Sequence, residues 1–194
     1  MDLATALRPP STALELQLPH WVLPSLDWDK SYPDDKSKMA LAISLARENV
    51  ARQTGGPFGA AIFSEVDGRL LGVGVNAVVT NHNSCLHAEV MAIMMAQNRQ
   101  QHFSLAEQDC ALFSSCEPCA MCLGATLWSG VKRMVCAASG DDARAIGFDE
   151  GPVFYESYRY LERAGVRIQR GLMRTEGKGV LDAYQAKGGP IYNP

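Results

Sequence analysis

Two short stretches carry residue types and spacings that can do chemistry: His87-Ala88-Glu89 and Pro118-Cys119-Ala120-Met121-Cys122. Cys119 and Cys122 are three positions apart, so on a helix they face the same way. At the start of a helix the partial positive charge favours thiolate over thiol. Two thiolates and the imidazole of His87 form a natural zinc set, and three protein ligands leave a fourth position for water. Glu89 stands two residues past the histidine, off the same coordination face. There it can take a proton from a metal-activated water and deliver it to a substrate nitrogen.

Other readings of these cysteines are open to test. C-x-x-C alone also serves as a redox pair. Cys116, Cys119 and Cys122 together begin like an iron–sulfur run, but Thr126 and Leu127 stand where that run needs Cys and Pro. The joint occurrence of H-x-E and P-C-x-x-C favours one Zn2+ per chain, in the pattern of zinc deaminases. A zinc-stabilised binding module without activity would need a fourth protein ligand, which Cys116 or Cys85 could supply. Otherwise Cys85, Cys110, Cys116 and Cys136 read as small buried apolar residues.

The elements that position these groups follow from periodicity. A helix is expected from about Asp35 to Gln53, ended by Gly55-Gly56-Pro57. Strands are expected over Phe58–Ser64 and Arg69–Val79, joined by a turn at Asp67-Gly68. In the second strand Gly72, Gly74 and Asn76 share a face, which predicts a close approach there and suits an incoming ligand at Asn76. A helix over about Leu86–Arg99, capped by Asn83 or Ser84, would carry His87 and Glu89. A strand over Cys110–Ser114 leads into a helix over about Pro118–Trp128. A strand over Arg133–Ala138, helices near Val153–Arg163 and Val180–Lys187, and a strand over Val166–Gln169 complete the pattern. A hairpin followed by alternating helices and strands predicts an α/β fold with helices on both faces of the sheet.

The chain has 194 residues, 47% hydrophobic and 20% charged, the balance of a globular domain. Its 18 basic and 21 acidic residues leave a net charge of −3, too little to draw it onto nucleic acid or anionic lipid. Residues 155–194 lean basic, but Gly165 and Gly171 break any helical stripe, so a solvated face is expected. No apolar run approaches the ~20 residues of a membrane span, and no leader is expected, since Asp2 replaces a basic start and Arg8 is the sole early basic residue. Six cysteines without a leader point to a reducing, cytoplasmic setting. Residues 1–35 are Pro-rich and aperiodic and are expected to pack as an extension on the body, with Trp21 and Trp28 as docking aromatics. Residues 36–194 form the expected zinc-dependent domain.

With Gly56-Pro57-Phe58-Gly59-Ala60, Val75-Asn76, His87-Ala88-Glu89, Cys116 to Ala125, Gly147-Phe148-Asp149-Glu150 and Ile191-Tyr192, the sequence resembles the cytidine-deaminase-fold superfamily. Within that superfamily it resembles the bacterial guanine deaminases. The resemblance covers roughly residues 39–194 and implies a three-layer α/β/α fold with a mixed central sheet of about five strands. It implies hydrolytic deamination of guanine to xanthine, in purine catabolism or salvage. It implies His87, Cys119 and Cys122 as zinc ligands and Glu89 as proton shuttle. Asn76 would hydrogen-bond the purine and Phe58 would stack on it. His87, Ala88, Phe148 and Trp128 would border it. Glu150 matches a second catalytic acid that is usually Asp, one methylene shorter. The resemblance also implies a homodimer whose C-terminal tail, hinged at Gly188-Gly189-Pro190, is exchanged so that Tyr192 closes the partner's site. A tRNA adenosine deaminase, or a deaminase of cytosine or another small amino-heterocycle, shares the zinc motif and is the alternative. Nucleic acid and membrane are not the expected partners.

Overall fold

In a computed structural model of the chain, residues 16–193 are described. Five strands, β1 (Gly59–Ser64), β2 (Leu70–Val75), β3 (Cys110–Cys116), β4 (Arg133–Ala138) and β5 (Arg167–Gln169), form one sheet. Their order is β2-β1-β3-β4-β5. β1 is antiparallel to both β2 and β3, whereas β3–β4 and β4–β5 are parallel, so the sheet is mixed. The expected turn joins β1 to β2, and Gly68 occupies it at φ 71°, where a side chain would be strained.

Strand residues alternate between two cores. Ala61, Phe63, Phe113 and Val135 pack on one face with Met39, Ile43, Ala46 and Val50 of α1 (Asp35–Ala51) and Val180, Leu181 and Tyr184 of α7 (Arg174–Ala186). Ala60, Ile62, Leu112 and Met134 pack on the other. There they meet Ala88, Ala92 and Ala96 of α3 (Ala88–Gln100), Leu123 of α4 (Ala120–Ser129), and Tyr158 and Leu161 of α6 (Tyr155–Arg163). The three expected layers are present, with the expected strand number. Two further short helices are α2 (Val78–Asn81) and α5 (Gly140–Ala145).

Several expectations change in detail. The second strand ends at Val75 because Asn76 Oδ1 accepts from Val78 N at 3.4 Å and the chain turns into α2. The close approach on the Gly72–Gly74 face is made by α3. A Cβ on Gly74 would lie 2.0 Å from the Ala88 carbonyl oxygen, and one on Gly72 would lie 2.6 Å from that of Ala92. These glycines let a helix lie on the sheet, rather than a ligand. Neither Asn83 nor Ser84 caps α3; His87 is its N-cap residue, and Asn83 Oδ1 accepts from Cys85 N at 3.0 Å. α7 starts six residues before its expected first turn, with Gly177 inside it. A Cβ there would meet the Ser115 carbonyl oxygen at 2.7 Å, so the glycine that obscures the helical pattern is what seats the helix.

Residues 1–15 of the extension lie outside the described residues. Within the rest, Trp21 and Val22 are buried in the main core, Trp28 packs against it, and Ser31 bridges to Arg69. Among the described residues no helix is long and apolar enough to cross a membrane.

Candidate active site

The chemistry collects at one end of the sheet, where β1 begins, β2 ends and β3 runs out into Glu117-Pro118-Cys119. Cys119 is the N-cap residue of α4 and Cys122 lies one turn on, so the two sulfurs share a side. α3, held close by Gly72 and Gly74, brings His87 to them. Cys119 Sγ lies 3.5 Å and Cys122 Sγ 3.6 Å from His87 Nδ1. Ligating atoms of these three residues lie within 4.8 Å of one another, and this is the single such cluster among the described residues. Cys116 turns its sulfur to the Ser139 carbonyl oxygen at 3.5 Å, and Cys85 is exposed, so neither joins as a fourth ligand. Two sulfurs and one ring nitrogen at these separations fit a tetrahedral zinc with one non-protein position.

The electrostatics suit a cation. The Cys119 thiol is lowered to about 4 by the hydrogen bond from Cys122 and, against burial, by His87. Burial opposes charge on His87, but its contact with Cys119 and the charge of Glu89 raise its proton affinity. Glu89 is buried, with Oε1 accepting from Ser114 Oγ at 3.2 Å and Oε2 lying 3.3 Å from Cys122 Sγ. Burial, then the neighbouring Cys119 charge, raises its pKa. Burial, then Cys119 and Glu89, pushes Glu150 up to about 8. Two carboxylates inclined to hold protons beside a metal-ligand set are the groups that hydrolytic acid–base chemistry requires.

A cavity of about 450 Å³ opens onto this cluster, large enough for one heterocyclic base. Phe58, His87, Glu89, Cys119, Phe148, Glu150 and Tyr192 line it. Phe58 and Phe148 meet edge to face at 5.1 Å, and Phe148 lies 5.0 Å from Tyr192. Asn76 is fully buried and is not itself a lining residue, but its backbone N donates to the carbonyl of Phe58, which is, at 3.0 Å. Its Nδ2 has no protein partner, an orphaned donor that an acceptor on a ligand would satisfy. Tyr192 comes from the tail of the same chain, and its hydroxyl is likewise buried without a partner.

Two expected site residues lie elsewhere. Trp128 is 84% exposed at the last turn of α4 and does not line the cavity. Six residues beyond Cys122 the helix has risen ~9 Å and turned to its far side. Ala88 packs into the core against β2, where α3 meets Gly74, and does not border the cavity.

Other cavity residues were given no site role by the sequence. Val78, Ser84, Met121, Asp149 and Asn193 line the cavity. Glu117 does too: it is buried, and its carboxylate accepts from Arg170 Nε at 2.5 Å and from Gly140 N at 3.1 Å, steadying the loop that carries Cys119. The basic side chains after residue 155 mostly answer acids: Arg159 pairs with Glu162, Arg167 with Glu65, Arg174 with Asp142, and Lys178 with Asp182.

Residues 33–138 match the family described as the cytidine and deoxycytidylate deaminase zinc-binding region. A guanine deaminase from Bacillus subtilis is 43% identical over 115 residues, 59% of this chain and 71% of the relative. The solved guanine deaminase from Nitrosomonas europaea superposes with a TM-score of 0.87 at 36% identity, covering 92% of this chain and all of that one. A relative solved in complex with 2,6-diaminopurine superposes with a TM-score of 0.87 at 38% identity, covering 93% of this chain and 97% of that one.

Proposed function

The chain belongs to the zinc-binding cytidine and deoxycytidylate deaminase family, among its bacterial guanine deaminases, and from that premise we propose that it hydrolyses guanine to xanthine and ammonia. One observation carries the reading. A zinc-donor cluster and two buried carboxylates meet at a cavity sized for a single base, and the unpartnered amide of Asn76 is tied through its backbone to Phe58 on the cavity wall.

Zinc held by His87, Cys119 and Cys122 supplies the Lewis acidity that makes water nucleophilic at neutral pH. The protein's own groups do the rest. Glu89, pinned between Ser114 and Cys122, takes the proton of the attacking water and passes it to a purine ring nitrogen. A second proton leaves with the amine as ammonia, and Glu150 lies on the cavity wall where it can take part in that transfer. Asn76 Nδ2 donates to a purine acceptor, Phe58 stacks on the ring, and Phe148 and Tyr192 shield the site from water.

The tail favours a free base over a polynucleotide, because Tyr192 and Asn193 wall the cavity. The paired basic side chains after residue 155 offer little free charge for phosphates. An ultraviolet assay on guanine, cytosine and adenosine, with released ammonia measured, tests the reading. Guanine should turn over fastest; preference for another substrate overturns it.

We also propose a homodimer. Trp128, Phe154 and Tyr155 present large aromatic surfaces to solvent on α4 and at the start of α6, and a second copy would cover them. In that dimer, tails exchanged about Gly188-Gly189-Pro190 would seat the same Tyr192 in the neighbouring cavity. Six free cysteines, none in a disulfide, support a reducing, cytoplasmic setting.

A further inference from the structure

Asn49 of α1 is fully buried, and its side chain spans the two backbone segments that present Phe58 and Asn76. Its Nδ2 donates to the Gly56 carbonyl at 2.8 Å and to the Asn76 carbonyl at 2.9 Å. Both partners only accept, which fixes the orientation of the amide. Its Oδ1 accepts from Thr54 Oγ1 at 2.7 Å, and Thr54 Oγ1 accepts from Trp21 Nε1 at 3.0 Å. Trp21 belongs to the N-terminal arm and is itself buried, with the Arg52 guanidinium 5.5 Å from its ring centroid. Gly55 leaves room for this junction, since a Cβ there would lie 1.9 Å from the Asn76 carbonyl oxygen.

Each link constrains the next. The indole N–H occupies a lone pair of Thr54 and so turns the hydroxyl hydrogen toward Asn49. That hydrogen bond holds the Asn49 amide against a flip. A flipped amide would set its oxygen against two carbonyl oxygens and leave all three without donors in a buried place. The Asn76 backbone and the turn before Phe58 therefore hang from a single amide whose oxygen is tied through Thr54 to the arm.

We propose that Asn49 is a positioning residue for the purine, and that the N-terminal arm governs it through Trp21 and Thr54. The proposal rests on the reading of Asn76 and Phe58 as purine contacts. It gives the arm a part in substrate binding although the arm does not line the cavity.

The test is steady-state kinetics on guanine with the zinc-loaded full chain. Thr54→Val removes the hydroxyl at nearly constant volume, and Trp21→Phe removes the donor while keeping an aromatic ring. One lost hydrogen bond corresponds to roughly fivefold. Thr54→Val should raise KM at least threefold with kcat within about twofold, since binding and not proton transfer is disturbed. Trp21→Phe should shift KM the same way by less, and the double variant should match Thr54→Val alone, because both break one chain. In an Asn76→Ala background Thr54→Val should add less than it does alone, because only the route through Gly56 and Phe58 remains. A smaller KM change for Thr54→Val, or multiplying effects in either double variant, overturns the relay. If Asn76→Ala itself leaves KM unchanged, the reading of Asn76 as a purine contact fails first, and the relay with it.

Discussion

Asn193 and Asp149 are joined side chain to backbone: Asp149 N donates to Asn193 Oδ1 at 2.9 Å, while Asn193 Nδ2 donates to the Gly147 carbonyl at 2.7 Å. The tail thus grips the loop that carries Phe148 and Glu150, one residue after Tyr192 enters the cavity. Asn193→Ala should loosen both at once. Guanine kcat/KM should fall roughly 25-fold, the scale of two lost hydrogen bonds, with little change in melting temperature. Kinetics and thermal unfolding on the same sample check it; unchanged kinetics would make the clasp incidental.

Glu89→Gln keeps the shape of the side chain and its contact with Ser114 but removes the proton carrier. Zinc content should stay near one per chain while turnover drops about 10²–10⁴-fold. Metal analysis alongside the ammonia assay measures both, and an active variant would remove Glu89 from its role.

Gly74→Ala and Gly179→Ala form a matched pair. A Cβ at Gly74 meets the Ala88 carbonyl oxygen at 2.0 Å and the Ala92 nitrogen at 2.6 Å, both backbone atoms, whereas at Gly179 nothing lies within 4 Å. Gly74→Ala should destabilise by about 1–3 kcal/mol and displace the helix that carries His87. Gly179→Ala, inside α7, should stabilise by about 0.5–1 kcal/mol. Denaturant unfolding of both variants decides; equal midpoints would contradict the packing argument.

Asp142 closes the capping box of α5 and accepts from Arg174 Nε at 2.8 Å and from Ser139 N at 2.9 Å. The Arg174 hydrogen bonds, with those from Ser139, hold its carboxyl well below the usual carboxylate range. A depressed folded pKa adds stability above the unfolded value near about 4, and that stability is lost as pH falls toward the folded value. Asp142→Asn should therefore melt roughly 2–4 °C lower at pH 7, the scale of about 1 kcal/mol in a domain this size. The gap should narrow as pH drops below about 4. A gap independent of pH would assign the effect to packing.

The metal ligands and Glu89 were legible because coordination chemistry restricts both residue type and spacing, so His87, Cys119 and Cys122 announce themselves in the chain. The layers were legible from alternation in the strands and from Met39, Ile43, Ala46 and Val50 at helical spacing. Gly72 and Gly74 signalled a close approach but not what approaches, since a missing Cβ is equally silent about a helix and a ligand. Trp128 was misplaced because it was carried over from the resemblance alone, and six residues along a helix turn a side chain away from the first-turn ligands. Asn49 left no trace at all, and Glu117 stood only inside the matched stretch from Cys116 to Ala125 with no role attached. Their partners are backbone groups and a distant arginine, and such pairings exist only after folding.

At the end of the sheet away from the cavity, Arg133 pairs with Asp35 and with Glu65 at 3.3 Å and donates to Gln169 at 2.7 Å, while Lys38 pairs with Glu65 at 3.0 Å. This knot ties α1, the β1–β2 turn, β4 and β5 together about one strand length, or roughly 20 Å, from the reacting groups. This charge network holds elements together without touching the groups that react. An engineer could therefore redesign the charges around Arg133 while leaving the cavity walls unchanged.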